Sequence, residues 1–268
     1  MLWVWKGRKG VNMSKKESLL PNEKNEFLLK ILEKVTLANN IQLMILGGYR
    51  DPSVVRKRIN KLIDGDYIKG EYQGSHKVYT LTQKGLGELE KTRKPYEITG
   101  TKSRHEELVA EAACWLYIRT GRGIMDMMFD HEMNSVNVFK NSGHKPDIAF
   151  SMHQALEVEL TSKSTHGDAS KNGLLDNFRS NVKNYSKQIW IIPDNKPGLK
   201  KRLGELRDKY AKEGTVYIYT TGMIHRTVQA FADEDDLRKS NTVRDTPVKG
   251  IPCPKETPRI KDIMEELQ

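Results

Sequence analysis

Residues 143–164 read "GHKPDIAFSMHQALEVELTSKS". Two apolar runs stand out, one opened by Asp147 and ending near Ser151, the other covering Ala155 to Leu160. Both have the length and composition of strands. Asp147 follows Pro146 at the head of the first run, while Glu157 and Glu159 lie inside the second. Along a strand, side chains two residues apart share a face, so Glu157 and Glu159 point the same way, toward Asp147 if the two runs pair. Buried strands avoid unpaired carboxylates, so these acids need either basic partners such as Lys145 or Lys163, or a bound cation. Carboxylate oxygens so spaced suit Mg²⁺ or Mn²⁺, and a metal held there positions and activates a water for attack on a phosphodiester.

The elements around this stretch follow from periodicity. Before it, Leu108, Ala112, Trp115 and Leu116 keep helical spacing over residues 103–119, and residues 124–129 read as a strand. After it come an expected helix over 174–185, the strand "QIWIIP", a Lys-rich helix over 200–212 and the strand "TVYIYT". A helix, three strands, a helix and a strand, with Pro146-Asp147 and then Glu157-Val158-Glu159, resemble the core of the PD-(D/E)xK nuclease superfamily. Glu159 stands where that superfamily usually has Lys. The resemblance implies a catalytic set of Asp147, Glu157 and Glu159, with Asp147 and Glu157 holding Mg²⁺ or Mn²⁺. Lys163, on the same strand parity, is the candidate to replace the missing Lys, and Glu106, Glu107 or Glu111 is a candidate further ligand.

The N-terminal third has a different character. Residues 1–94 hold 19 Lys and Arg against 10 Asp and Glu, which accounts for most of the chain's formal charge of +10. Such a concentration favours a polyanionic partner. Phe27, Leu28, Ile31, Leu32 and Val35 give one amphipathic helix, and "IQLMIL" a second short apolar segment. In "RDPSVVRKRINKLIDGDYIKG", Asp51 suits an N-cap, Pro52 the first turn and Gly65 the stop. That helix sets Val55, Ile59, Leu62 and Ile63 on one face and Ser53, Lys57, Asn60 and Lys61 on the other, flanked by Arg56 and Arg58. Two short β segments around Gln73-Gly74-Ser75-His76 then form a hairpin, followed by a helix from Thr82 to about Lys91. The order resembles a winged helix-turn-helix, which implies a third helix in the major groove and a hairpin on the backbone. The expected DNA contacts are Arg50, Ser53, Arg56, Lys57, Asn60, Lys61, His76 and Lys77. A winged helix used for protein contacts, with a merely solvated basic face, is the bland alternative.

At 268 residues the chain suits two domains. The expected layout is a flexible segment 1–20, a winged helix-turn-helix over 21–94, a linker over 95–102, and a nuclease-like α/β domain with a mixed sheet over 103–232. A loosely ordered polar tail follows over 233–268, a candidate partner-binding segment holding four of the ten prolines. The fold class is α+β or α/β. Cys114 and Cys253 lie apart from any CxxC, which speaks against structural zinc and for a reducing, cytoplasmic setting. No run suits a membrane span, and "MLWVWKGRKG" has the reverse order of a signal peptide; Met13 is a second candidate start. Phosphate loops, GxGxxG, HExxH and relaxase-type His clusters do not occur, and the seven histidines are scattered. Tyr185, Arg179 and Lys183 share helical spacing, read either as a phosphate path or as a solvated face around a core aromatic.

The combination of a winged helix with "KPDIAF", "ALEVELTSKS" and "LLDNFRSNVKNYSKQIWIIP" is similar to the replication-relaxation family of plasmids and integrative elements, over roughly residues 22–220. The resemblance implies a double-stranded DNA-binding accessory in replication or conjugative mobilisation, with a relaxase or replication protein as partner; a second copy of the chain is expected separately, by analogy with other winged helices, because one winged helix offers few base contacts. It does not imply cleavage. A metal-dependent endonuclease and a winged-helix transcriptional regulator are the alternatives.

Overall fold

The computed structural model describes residues 22–133, 144–161 and 173–240. The expected segment 1–20, Lys163, and residues 241–268 of the expected tail lie outside the described residues.

Local signals account for the first elements. The Asn22 side chain accepts the Asn25 N–H to open α1 (Glu23–Val35), whose Leu28, Leu29, Ile31, Leu32 and Val35 are buried. A three-residue strand, β1 (Leu37–Asn39), leads into α2 (Asn40–Leu46), begun by a reciprocal cap between Asn39 and Gln42. Helix α3 (Pro52–Asp64) starts where Asp51 accepts the Ser53 N–H and stops at Gly65. Strands β2 (Ile68–Gln73) and β3 (His76–Leu81) form an antiparallel hairpin, with Gly74 at φ +63° supplying the left-handed turn residue. β1 joins the other edge of β3, giving a sheet ordered β1-β3-β2. Thr82 caps α4 (Gln83–Glu88), which ends at Leu89 rather than near Lys91.

Helix α5 (Gly100–Thr120) begins inside the expected linker and ends at Gly121, φ +71°. The first half of the expected strand over 124–129 is a 3-10 turn, Ile124–Asp126, where the Asp126 carboxylate turns back to accept the Gly123 N–H. Only Met128–Phe129 pair, as β4, ahead of the single turn α6 (Asp130–Met133). Then follow β5 (Ile148–Ser151), β6 (Gln154–Val158), α7 (Leu174–Asn184), β7 (Lys187–Ile192), α8 (Pro197–Tyr210) and β8 (Val216–Thr220). A further helix, α9 (Thr221–Ser240), occupies positions for which the sequence pattern predicts none, including the first eight residues of the expected tail. Asp194 starts it, accepting the Thr220 and Thr221 hydroxyls and the Gly222 N–H.

The second sheet is mixed, ordered β4-β5-β6-β7-β8, antiparallel through β6 and parallel beyond it. Strand alternation divides its residues. Ile148, Phe150, Leu156, Val158 and Ile191 share a buried cluster with α5 and α9. Trp190 and Ile192 pack with Phe178 of α7 and Leu199 and Leu203 of α8, the Phe178 and Trp190 rings stacking at 5.6 Å.

The two parts share one buried cluster on this side. Leu28, Ile31 and Leu43 belong to the same contiguous cluster as Ala110, Trp115, Phe129 and Val228. Helix α5 is common to both parts, packing against α1, α2 and β1 as well as α9 and β6. Polar ties cross the same seam: Lys34 Nζ donates to Glu132 at 2.8 Å and to the Met127 carbonyl at 2.7 Å, and Gln42 Nε2 donates to the Glu107 carbonyl at 3.1 Å. No helix among the described residues is long and apolar enough to cross a membrane.

Candidate functional site

Two places hold the residues singled out by the sequence. The first is the outer face of α3. Val55, Ile59 and Leu62 are buried, which turns Ser53, Arg56, Lys57, Asn60 and Lys61 into solvent, with Arg50 exposed just ahead of the helix. None of the four basic residues on this face makes an ion pair among the described residues, whereas Arg58 hydrogen-bonds Asn25 at 3.1 Å and lies over the Tyr49 ring. Arg58 therefore fastens α3 to α1.

The hairpin is less uniform. Lys77 is half-buried with its ammonium 5.8 Å from the Tyr79 ring centre, and Lys69 pairs with Glu71 at 2.8 Å. His76, at the tip, is bonded to Glu107 of α5, so this expected DNA contact is also an anchor between hairpin and helix. Tyr72 stands 76% exposed across the strand pair from Lys77, a ring offered to solvent beside a cation. Sequence reasoning passed over Tyr72, although its place beside the Gln73-Gly74 turn marks it as a hairpin-tip residue.

The second place is the carboxylate cluster. Asp147 immediately precedes β5, whose Ile148 pairs with Leu156 of β6; that register brings Asp147 opposite Glu157, and the Asp147 Oδ2 accepts the Val158 N–H at 2.6 Å. Glu157 and Glu159 are both buried, at 5% and 2% exposure. The three acids are thus neighbours, as alternation predicts. Two histidines and a threonine stand among their partners. His105 of α5 lies 3.5 Å from Asp147 and bonds the Val158 carbonyl at 3.1 Å. Burial disfavours charge on that ring, but the Asp147 and Glu106 carboxylates outweigh it and push its pKa up to about 11. His144 bonds Glu157 Oε1 at 2.9 Å, and Glu159 accepts the Thr161 N–H at 3.1 Å and the Thr161 hydroxyl.

Burial, then the facing Asp147 charge, push the Glu157 pKa up to about 7 against the pull of His144. Its second oxygen, Oε2, is buried without a hydrogen-bond partner among the described residues. Tyr185 closes the cluster beneath: burial and then the Glu157 charge push its hydroxyl up to about 12.

Among the described residues no group of three or more His, Cys, Asp or Glu is arranged to hold an ion. The candidate further ligands are dispersed: Glu106 faces His105 at 3.9 Å, Glu107 holds His76, and Glu111 binds His225 of α9 at 2.7 Å. Lys163 lies outside the described residues. Arg179 donates to the Tyr210 hydroxyl at 2.8 Å and covers its ring, so it belongs to the α7–α8 contact rather than to a path beside Tyr185; Lys183 is exposed. The sequence reading set aside His105 and His144 as scattered. For His144 a signal existed: it stands three residues before Asp147.

Comparison with protein-family models, with curated proteins and with solved structures finds no match to this chain.

Proposed function

We propose that the protein binds duplex DNA through α3 and the β2–β3 hairpin, and that it serves as an accessory in replication or mobilisation of a plasmid or mobile element. One observation carries the reading: the outer face of α3 presents Arg56, Lys57, Asn60 and Lys61 to solvent, its bases without ion pairs among the described residues, on a helix whose other face is buried. Unpaired guanidinium and ammonium groups on a rigid helix are available to phosphates and guanine edges, and neutralising phosphates releases counterions. On this reading the N-terminal part is a winged helix-turn-helix and the mixed sheet a nuclease-like scaffold, as the resemblance to the replication-relaxation family implies.

Cleavage is not part of the proposal, because the carboxylates that would perform it are engaged with His105, His144, the Val158 N–H and Thr161. On this reading Asp147 ties α5 to the sheet through His105.

The test is a salt titration of binding to random-sequence duplex, read by fluorescence anisotropy. Replacing Lys57 and Lys61 by Ala is expected to weaken binding and to lower the log–log salt slope by about two. An unchanged affinity with an unchanged slope removes α3 from the interface and leaves the protein-binding alternative.

A further inference from the structure

At the C-terminal end of α5, the helices α5 and α9 and strand β8 enclose an open groove of about 590 Å³. Its floor is apolar: Trp115 and Tyr219, whose ring centres are 5.0 Å apart, with Ile118, Met223 and Phe231. Met223 is 46% exposed, although its neighbours Ile224 and Val228 on the same helix are buried. Two cations, Arg119 of α5 and Arg226 of α9, stand exposed at the rim, and neither makes an ion pair among the described residues. An apolar floor with an unanswered basic rim selects an acidic amphipathic occupant.

The chain carries such a segment. In "PRIKDIMEELQ", residues 258–268, Ile260, Ile263, Met264 and Leu267 recur at the spacing of one helix face, and Asp262, Glu265 and Glu266 supply three acids with no base after Lys261. Reach is not limiting. The groove is built on α9 itself, and Ser240 lies about 14 Å beyond Phe231 at 1.5 Å per helical residue. The 18 residues 241–258 span up to about 60 Å when extended. A tether of that length holds the segment near the groove at an effective concentration of the order of millimolar, so a weak intrinsic affinity suffices. A second copy presenting the same groove would bring basic rim against basic rim, which disfavours a symmetric contact there.

We infer that residues 259–268 dock in cis on the α5–β8–α9 groove, with Ile263, Met264 and Leu267 on Trp115, Tyr219 and Met223, and with Glu265 and Glu266 against Arg119 and Arg226. The docked segment covers the exposed Met223 and clamps α9 to α5 from outside.

The test uses the full chain with ¹³C-methyl methionine and a nitroxide on Cys253, since the other cysteine, Cys114, is fully buried. The label is expected to broaden the Met223 methyl signal. Ile263→Asp with Leu267→Asp, which alters the tail alone, is expected to restore a sharp signal. So is Arg119→Glu with Arg226→Glu, and adding Glu265→Lys with Glu266→Lys to that charge-reversed chain is expected to bring the broadening back. A Met223 signal that is sharp in the labelled unmutated chain, or broadened alike in every variant, overturns the inference. A dimer in sedimentation that the tail variant abolishes overturns docking in cis and gives the groove to a second copy.

Discussion

Glu157→Gln is expected to stabilise the protein by an amount that grows as pH rises from about 4.5 to 7 and is full above that. The carboxyl is buried beside Asp147 and titrates near 4.5 in an unfolded chain but near 7 in the fold. Between those values the native state keeps a proton that the unfolded state has released. Stability therefore falls as pH rises through that window. At about 1.36 kcal/mol per pH unit, the full displacement costs about 3 kcal/mol by pH 8, most of it absent at pH 5. Glutamine keeps the shape and a hydrogen bond to His144 while removing the titration. Urea unfolding followed by far-ultraviolet circular dichroism, run on both proteins at pH 5 and pH 8, isolates the effect, because His105 and the other groups titrate in both. The variant is expected to match the parent closely at pH 5 and to exceed it by about 2–3 kcal/mol at pH 8. Parallel stability profiles, or a variant that loses ground as pH rises, would refute the account of Glu157 as a strained acid.

Three further outcomes are expected. Tyr72→Ala, at a 76% exposed position, should leave the melting temperature unchanged and weaken duplex binding, which calorimetry and anisotropy together would read; an unchanged affinity removes the ring from the interface. Millimolar Mn²⁺ should neither raise the melting temperature nor produce nicks in supercoiled DNA; metal-dependent nicking by the parent and not by an Asp147→Ala, Glu157→Ala double variant would establish an enzyme. Phe178→Ala, which removes a fully buried ring stacked on Trp190, should cost about 3–5 kcal/mol in urea unfolding.

What the sequence disclosed is what is decided locally. Helix α3 carries its own start, stop and apolar stripe in Asp51, Pro52, Gly65, Val55, Ile59 and Leu62, and so was readable to the residue. The adjacency of Asp147, Glu157 and Glu159 was readable because a period of two leaves no alternative once β5 and β6 pair. Helix α9 was not, since its start is set by Asp194, 27 residues upstream of Thr221, and Ile224, Val228 and Ala232 make only a thin buried stripe. The partners of the acids were hidden for a similar reason. His105 comes from a helix 42 residues before Asp147 in sequence, and nothing local distinguishes it from the other histidines.

Because α5 lies in the core of both parts of the molecule, α3 is tied to the mixed sheet through a shared core, and the proposed binding of duplex by α3 has a geometric consequence. A bound protein would then behave as a protractor on DNA. Whatever the sheet side or the α9 groove carries is presented at one fixed azimuth around the duplex, set by where α3 lies in the major groove. With a repeat of about 10.5 base pairs per turn, sliding the recognition site by about five base pairs turns that cargo to the opposite side of the helix, whereas a full turn returns it to the same side. Spacing between neighbouring sites would therefore govern which copies, and which partners, can meet.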